Sequence, residues 1–149
     1  MSKQLLDFKA SVPANQFGSI TPIPLPITPG VLLADLGIFI VPPVPQPNRV
    51  DLKGTIGLNS ITAASPTVTI RIFRLNDNTG PGVEIFNKRL TVEGSANTEL
   101  IYTASFSTID FNVAPTSGFV VYQLFAESSA VGTVTVVGPV TFTGLAVAL

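Results

Sequence analysis

The stretch Val50-Asp-Leu-Lys-Gly-Thr-Ile-Gly-Leu58 alternates strictly, with Val50, Leu52, Gly54, Ile56 and Leu58 on one face and Asp51, Lys53 and Thr55 on the other. Successive side chains of a β-strand point to opposite faces, so the period of two predicts a strand with one buried side. Residues 67–75 repeat the pattern, Val68, Ile70 and Ile72 opposing Thr69, Arg71 and Phe73. The loop Asn76-Asp-Asn-Thr-Gly-Pro-Gly82 ends that run with dense turn chemistry. Further strands are expected at 83–92, 98–106, 109–113, 119–127, 131–137 and 140–149, with Gly or Pro between several of them, as at Gly138-Pro139. Counting a less regular run at 33–41, about eight or nine short strands recur at 8–12-residue spacing, the signature of an all-β sandwich. A jelly roll fits this count; an immunoglobulin-like sandwich needs only seven strands, and its Cys-Trp-Cys pattern is absent.

Composition excludes more chemistry than it suggests. The 149 residues include no Cys, His or Trp. That removes Cys- or His-ligated zinc, haem, iron-sulfur clusters, disulfides and the Ser-His-Asp and Cys-His nucleophile pairs, so neither an enzyme nor a cofactor is expected. A net charge of −1 offers no basic field for nucleic acid or anionic lipid. The longest apolar run, residues 31–41, is interrupted by Asp35 and too short to span a bilayer. The opening residues lack the apolar core of a signal peptide, so synthesis in a cytoplasm without export through a leader is expected.

Charged residues make up only 11% of the chain, less than half the usual ~25%. From Phe111 to Leu149 the sole charge is Glu127, and Phe119-Val-Val-Tyr-Gln-Leu-Phe125 is apolar on both faces. A strand apolar on both faces is normally covered on both. Phe119, Val121 and Phe125 are therefore expected at a contact between copies, in a thicker monomer core, or beneath residues 31–41.

Nine of the 13 prolines lie between positions 13 and 47. In Ile20-Thr-Pro-Ile-Pro-Leu-Pro-Ile-Thr-Pro-Gly30 each Pro fixes its own φ and pushes its predecessor toward extended geometry, excluding helix and central strand. Residues 22–30 would reach roughly 25 Å as polyproline II. Their intervening residues are apolar, unlike those of an ordinary spacer. Phe17, Ile20, Ile23, Leu25 and Ile27 are accordingly expected to dock on a neighbouring copy, a pre-ordered strand losing little entropy on binding. The expected division is a docking arm at 1–30, a linker or first strand at 31–47 and the sandwich at 48–149.

Other sites are weaker. The nine carboxylates read as solvated surface rather than a glycosidase pair. Asn76-Asp77-Asn78 lacks the spaced ligands of a calcium loop and reads as a hairpin turn. Arg71, Arg74, Lys88 and Arg89 read as solubilising charges and edge protection rather than an anion site. Lys53 and Lys88 lie on polar phases, which disfavours an isopeptide crosslink. Tyr102 and Tyr122 sit in apolar strands, leaving no evident aromatic platform for sugar.

Phe17-Gly-Ser-Ile-Thr-Pro-Ile-Pro-Leu-Pro-Ile-Thr-Pro-Gly30 is similar to the N-terminal leader of the collagen-like glycoproteins of the bacillus exosporium. The resemblance covers about fourteen residues; Ser19 replaces a Pro of that leader, and the collagen tract is missing. It implies a spore-surface location, a jelly-roll head of the tumour-necrosis-factor/C1q type, and docking of the arm into the next head. The product would be a fibre of stacked trimers like the thin, cysteine-free endospore appendage. Its implied partners are further copies, an exosporium anchor protein and a collagen-like tip glycoprotein. The alternative is a trimeric carbohydrate- or receptor-binding head on a filament tip or phage tail.

Overall fold

The alternating stretch at 50–58 lies inside the strand that organises one of two packed sheets. A computed structural model describes residues 3–60, 65–94 and 99–149. Its strands are β1 (Gln4–Ala14), β2 (Ile23–Pro24), β3 (Val31–Phe39), β4 (Asn48–Ser60), β5 (Thr67–Asn76), β6 (Val83–Thr91), β7 (Leu100–Phe111), β8 (Phe119–Ser128) and β9 (Val134–Ala148). The first sheet has the order β1-β9-β4-β7, with β2 also pairing β9; the second is β3-β8-β5-β6. All pairings are antiparallel. The chain passes repeatedly between the sheets, the wiring of a jelly-roll sandwich.

The face that periodicity assigns to the interior is the interior. Val50, Leu52, Ile56 and Leu58 of β4 meet Ile70 and Ile72 of β5, Leu124 of β8 and Phe142 of β9 in one core, all fully buried. Asn48 is buried but satisfied: its amide donates to the Pro45 and Val113 carbonyls and accepts from the Val113 N–H.

Several expected boundaries are corrected. Of the two readings of 31–47, the strand holds, but over residues 31–39 rather than 33–41: β3 belongs to the sandwich, with Leu36 and Ile38 in the core. The strands expected at 98–106 and 109–113 are the single strand β7; Thr98 lies outside the described residues. Gly138-Pro139 does not separate two strands, because β9 runs through it as an irregularity. The β4–β9 register shifts between Ile56 and Leu58. There the Gly138 carbonyl presses on Gly57 where a Cβ would stand, and Gly138 takes φ 93°. The glycine allows two backbones to approach where a side chain would hold them apart.

The largest correction concerns residues 1–30, of which residues 3–30 are described. They lie along their own subunit. β1 pairs with β9 from Gln4↔Ala148 to Ala14↔Val140, and Ile23 and Pro24 pair with Val136 and Thr135. The prolines do forbid a central strand; what forms is a sheet edge followed by an extended strap, both of which a proline-punctuated chain can make.

Candidate assembly surface

β1 holds to the sandwich mainly through its backbone. Apart from Ala14, all its side chains are exposed or half-buried, with Leu5, Phe8 and Val12 more than half exposed. Register shifts at Leu5/Asp7 and Ser11/Ala14 break its alternation. Two side chains add ties: Leu6 packs half-buried against the core, and Asp7 Oδ2 accepts from the Phe39 N–H. The strap behind β1 is gripped more firmly. The N–H groups of Gly18 and Leu25 donate to the carbonyls of Val137 and Val134, and the Ser128 N–H donates to Pro26. Leu25 is only 1% exposed, and Ile20 and Ile23 pack on the same core.

The arm residues expected to meet a neighbour thus divide. Ile20, Ile23 and Leu25 face their own core, because β9 offers carbonyls in register at Val134 and Val137. Phe17 and Ile27 remain free, at 54% and 51% exposure. Phe119, Val121 and Phe125 sit on the outer face of the second sheet and are partly covered by their own chain. The Phe119 ring centroid lies 5.1 Å from that of Phe39, and Phe125 meets Phe73 edge-on at 5.5 Å. Val121 is buried. This intramolecular cover supplies part of what was expected from a second subunit.

The outer face of the first sheet holds a patch that the sequence reading missed. Cross-strand register aligns Leu5, Val147, Arg49 and Phe111 in one row and Phe8, Leu145, Asp51 and Ile109 in the next. Six of these eight are apolar, and Leu5, Phe8, Ile109 and Phe111 are exposed. At its centre Arg49 Nε lies 3.1 Å from Asp51 Oδ1, an ion contact out of line for a hydrogen bond. Scattered over four strands, these residues give no contiguous apolar run; only the register assembles them.

Three polar networks replace the expected solvated charges. Asp110 is buried between the sheets, with Arg74 Nη1 2.8 Å from both its oxygens and the Tyr122 hydroxyl donating at 2.9 Å. Burial, reinforced by the neighbouring Asp110 charge, pushes the Tyr122 hydroxyl far above its ordinary range. Glu127 accepts from the Thr28 hydroxyl at 2.7 Å and from Arg71 Nε and Nη2, tying the strap to β8 and β5. Burial alone would raise its pKa, but the hydrogen bonds from Thr28 and Arg71 hold it below the ordinary value. Asp77, in the turn after β5, accepts from the hydroxyls and N–H groups of Ser117 and Thr116; the Ser117 hydroxyl contributes most, and the carboxyl falls to about 2.

Among the described residues no group of three or more His, Cys, Asp or Glu is placed to hold a metal, and no helix is long and apolar enough to cross a membrane. What the surface offers is strand edges and apolar patches, the chemistry of association.

The architecture is that of a jelly-roll β-sandwich, and solved structures share it. The chain matches a protein of the T13 particle of infectious bursal disease virus at 8% identity and a TM-score of 0.53, covering 93% of this chain and 30% of that one. VP2 of the same virus, in its subviral particle, matches at 11% and 0.52, covering 95% and 32%. The chain therefore spans about a third of these virus proteins. The Eiger tumour necrosis factor of S. frugiperda aligns at 13% identity with a TM-score of 0.40, covering 86% of this chain and 91% of that one. No protein-family model matches the chain, and no curated protein matches its sequence.

Proposed function

We propose that this chain is a non-enzymatic, self-assembling structural subunit of a spore-surface fibre, made in the mother-cell cytoplasm. Trimeric heads stack when the N-terminal segment of one copy docks on the next. The observation that carries the reading is the attachment of β1, an eleven-residue edge strand whose side chains are nearly all outside the core. Backbone pairing with β9 is the same whether β1 comes from its own chain or an adjoining copy, so strand addition in trans is open to it. A head-to-tail contact of this kind does not close on itself and generates filaments. The low charge fraction, the apolar rows on the first sheet and the likeness of residues 17–30 to an exosporium leader support it. An anchor protein at the base and a collagen-like glycoprotein at the tip complete the proposed fibre.

The absence of cysteine from the sequence supplies a clean test. Phe8 and Leu145 are register partners on the outer face, and the double variant Phe8→Cys, Leu145→Cys can be oxidised after assembly. Exchange gives a ladder of crosslinked chains on a non-reducing gel and fibres in negative stain. Fibres whose chains are crosslinked only internally would refute docking by β1. Discrete particles that never polymerise would refute the fibre itself.

A further inference from the structure

On the outer face of the second sheet lies a depression of about 520 Å³, within the range of small-ligand sites. Thr28 and Gly30 of the strap form one wall, and Gly82, at the end of the β5–β6 loop, lies on the other side. The floor is the edge-on pair Phe73 and Phe125, with Gln123 beside them. These residues come from four separate parts of the sequence. The strap that forms this wall is held to β8 by the Thr28–Glu127 hydrogen bond and by the Ser128 N–H donating to Pro26.

The charges decide what fits. Arg71 crosses the site but is already engaged: Nε and Nη2 reach Glu127, and Nη1 reaches Glu84 Oε1 at 2.6 Å. An anion would meet two carboxylates before it met a free guanidinium N–H. A cation would meet Arg71 itself, with the Arg89 charge close enough to act on Glu127. Arg71 is bonded to both carboxylates of the lining, Glu84 and Glu127, so no lining charge stands unpartnered, and Arg89 lies outside the lining. What remains available is hydrogen-bonding capacity in both senses: the Gln123 amide donates and accepts, and each carboxylate has spare lone pairs. Beside this lie two aromatic rings suited to an apolar C–H surface.

We propose that this depression binds a neutral sugar residue of a glycan, its C–H face over Phe73 and Phe125 and its hydroxyls on Gln123 and the Glu84–Arg71–Glu127 cluster. A neutral pyranose combines an apolar face with hydroxyls that both donate and accept, which is the combination the site presents. The site is independent of β1 and does not rest on the fibre proposal. It also supplies the aromatic platform that the two tyrosines do not.

The test is saturation-transfer NMR on the full chain, soluble or assembled, with methyl β-glucopyranoside, N-acetylglucosamine and methyl rhamnoside as probes and inorganic phosphate as the charged control. At least one sugar is expected to bind at a millimolar dissociation constant, as befits so small a ligand, with saturation strongest on its ring C–H protons. Gln123→Ala removes a half-buried surface amide and is expected to weaken binding about fivefold, the loss of one net hydrogen bond, at an unchanged melting temperature. Phe73→Leu keeps apolar bulk but removes the ring face and should weaken it further. No transfer to any of the three sugars, or transfer that Gln123→Ala leaves unchanged, overturns the proposal. So does phosphate binding at the same residues, or loss of assembly in Gln123→Ala, which would make this face a contact between copies.

Discussion

Leu25→Ala separates a strap that belongs to its own sandwich from one that reaches a neighbour. Leu25 is 1% exposed inside a proline-rich segment, while Ile27, two residues on, is 51% exposed. Truncating a buried Leu to Ala costs about 2–5 kcal/mol, the spread reflecting how far the site collapses. The strap lies at the rim of the core and can relax inward, which points to about 3 kcal/mol. For a chain of this size each kcal/mol moves the melting temperature by about 2–4 °C, so Leu25→Ala should melt about 6–12 °C below the parent. Ile27→Ala should stay within about 0.5 kcal/mol, the usual range for an exposed site. Melting followed by circular dichroism at several protein concentrations completes the assay. Stability gained from a neighbour depends on concentration, whereas stability gained within one chain does not. Equal, small shifts for both variants, or a Leu25→Ala shift present only at high concentration, would refute the placement of Leu25 in its own core.

Tyr122→Phe removes the hydroxyl that donates to buried Asp110 and is expected to cost about 1–3 kcal/mol in urea unfolding, with an unchanged m-value. Asp77 lies well below its ordinary carboxyl value, at about 2 against 3.8, so its stabilising contribution is full above pH 3.8 and is lost as pH falls from there toward 2. The difference in urea midpoint between the parent and Asp77→Asn should therefore shrink across that window and stay constant above it. Gly57→Ala drives a Cβ into the Gly138 carbonyl and should lower the melting temperature more than Gly80→Ala, where the left-handed φ of 71° is strained but no atom stands within 4 Å. Inserting a Gly-Ser segment between Asn15 and Gln16 should reduce fibre yield and increase the monomer, since short hinges favour exchange and longer ones allow closure.

How much of this was legible depends on whether one strand or several carried the signal. The β4 and β5 faces were readable because each is a half-buried strand whose alternation records its burial. β1 was not, since register shifts at Leu5/Asp7 and Ser11/Ala14 scramble the period of two and Pro13 masks its end. β9 was divided in two because Gly-Pro normally marks a turn, whereas here it lets two backbones approach. The buried carboxylates were misread for a different reason. Asp110 and Glu127 carry the same side chains as any surface acid, and only the arrival of Arg74 and Tyr122, or of Arg71 and Thr28, makes their burial tolerable. The depression on the second sheet and the apolar rows of the first have no linear signature, because each draws residues from several strands.

The same geometry that places the N-terminal segment on its own subunit also defines what must move for it to leave. The strap from Gly18 onward is fixed by its bonds to Val137, Val134 and Ser128, by Leu25 in the core and by Thr28 on Glu127. Releasing it would open the core and undo a buried charge cluster. Releasing β1 exposes the β9 edge, uncovers Leu6 and Ala14 and breaks the Asp7–Phe39 hydrogen bond, but it leaves the buried charge cluster and Leu25 in place. An exchange then restores the same backbone pairs on another copy, leaving the cost to the chain between Ala14 and Gly18. That short connection spans at most about 14 Å when extended. A receiving β9 edge must therefore stand close beside the donor's, which fixes the neighbour by geometry before any side chain selects it. On this account the proline-rich segment serves as the clamp that aims the exchanging strand, and the exchange itself belongs to the residues that precede it.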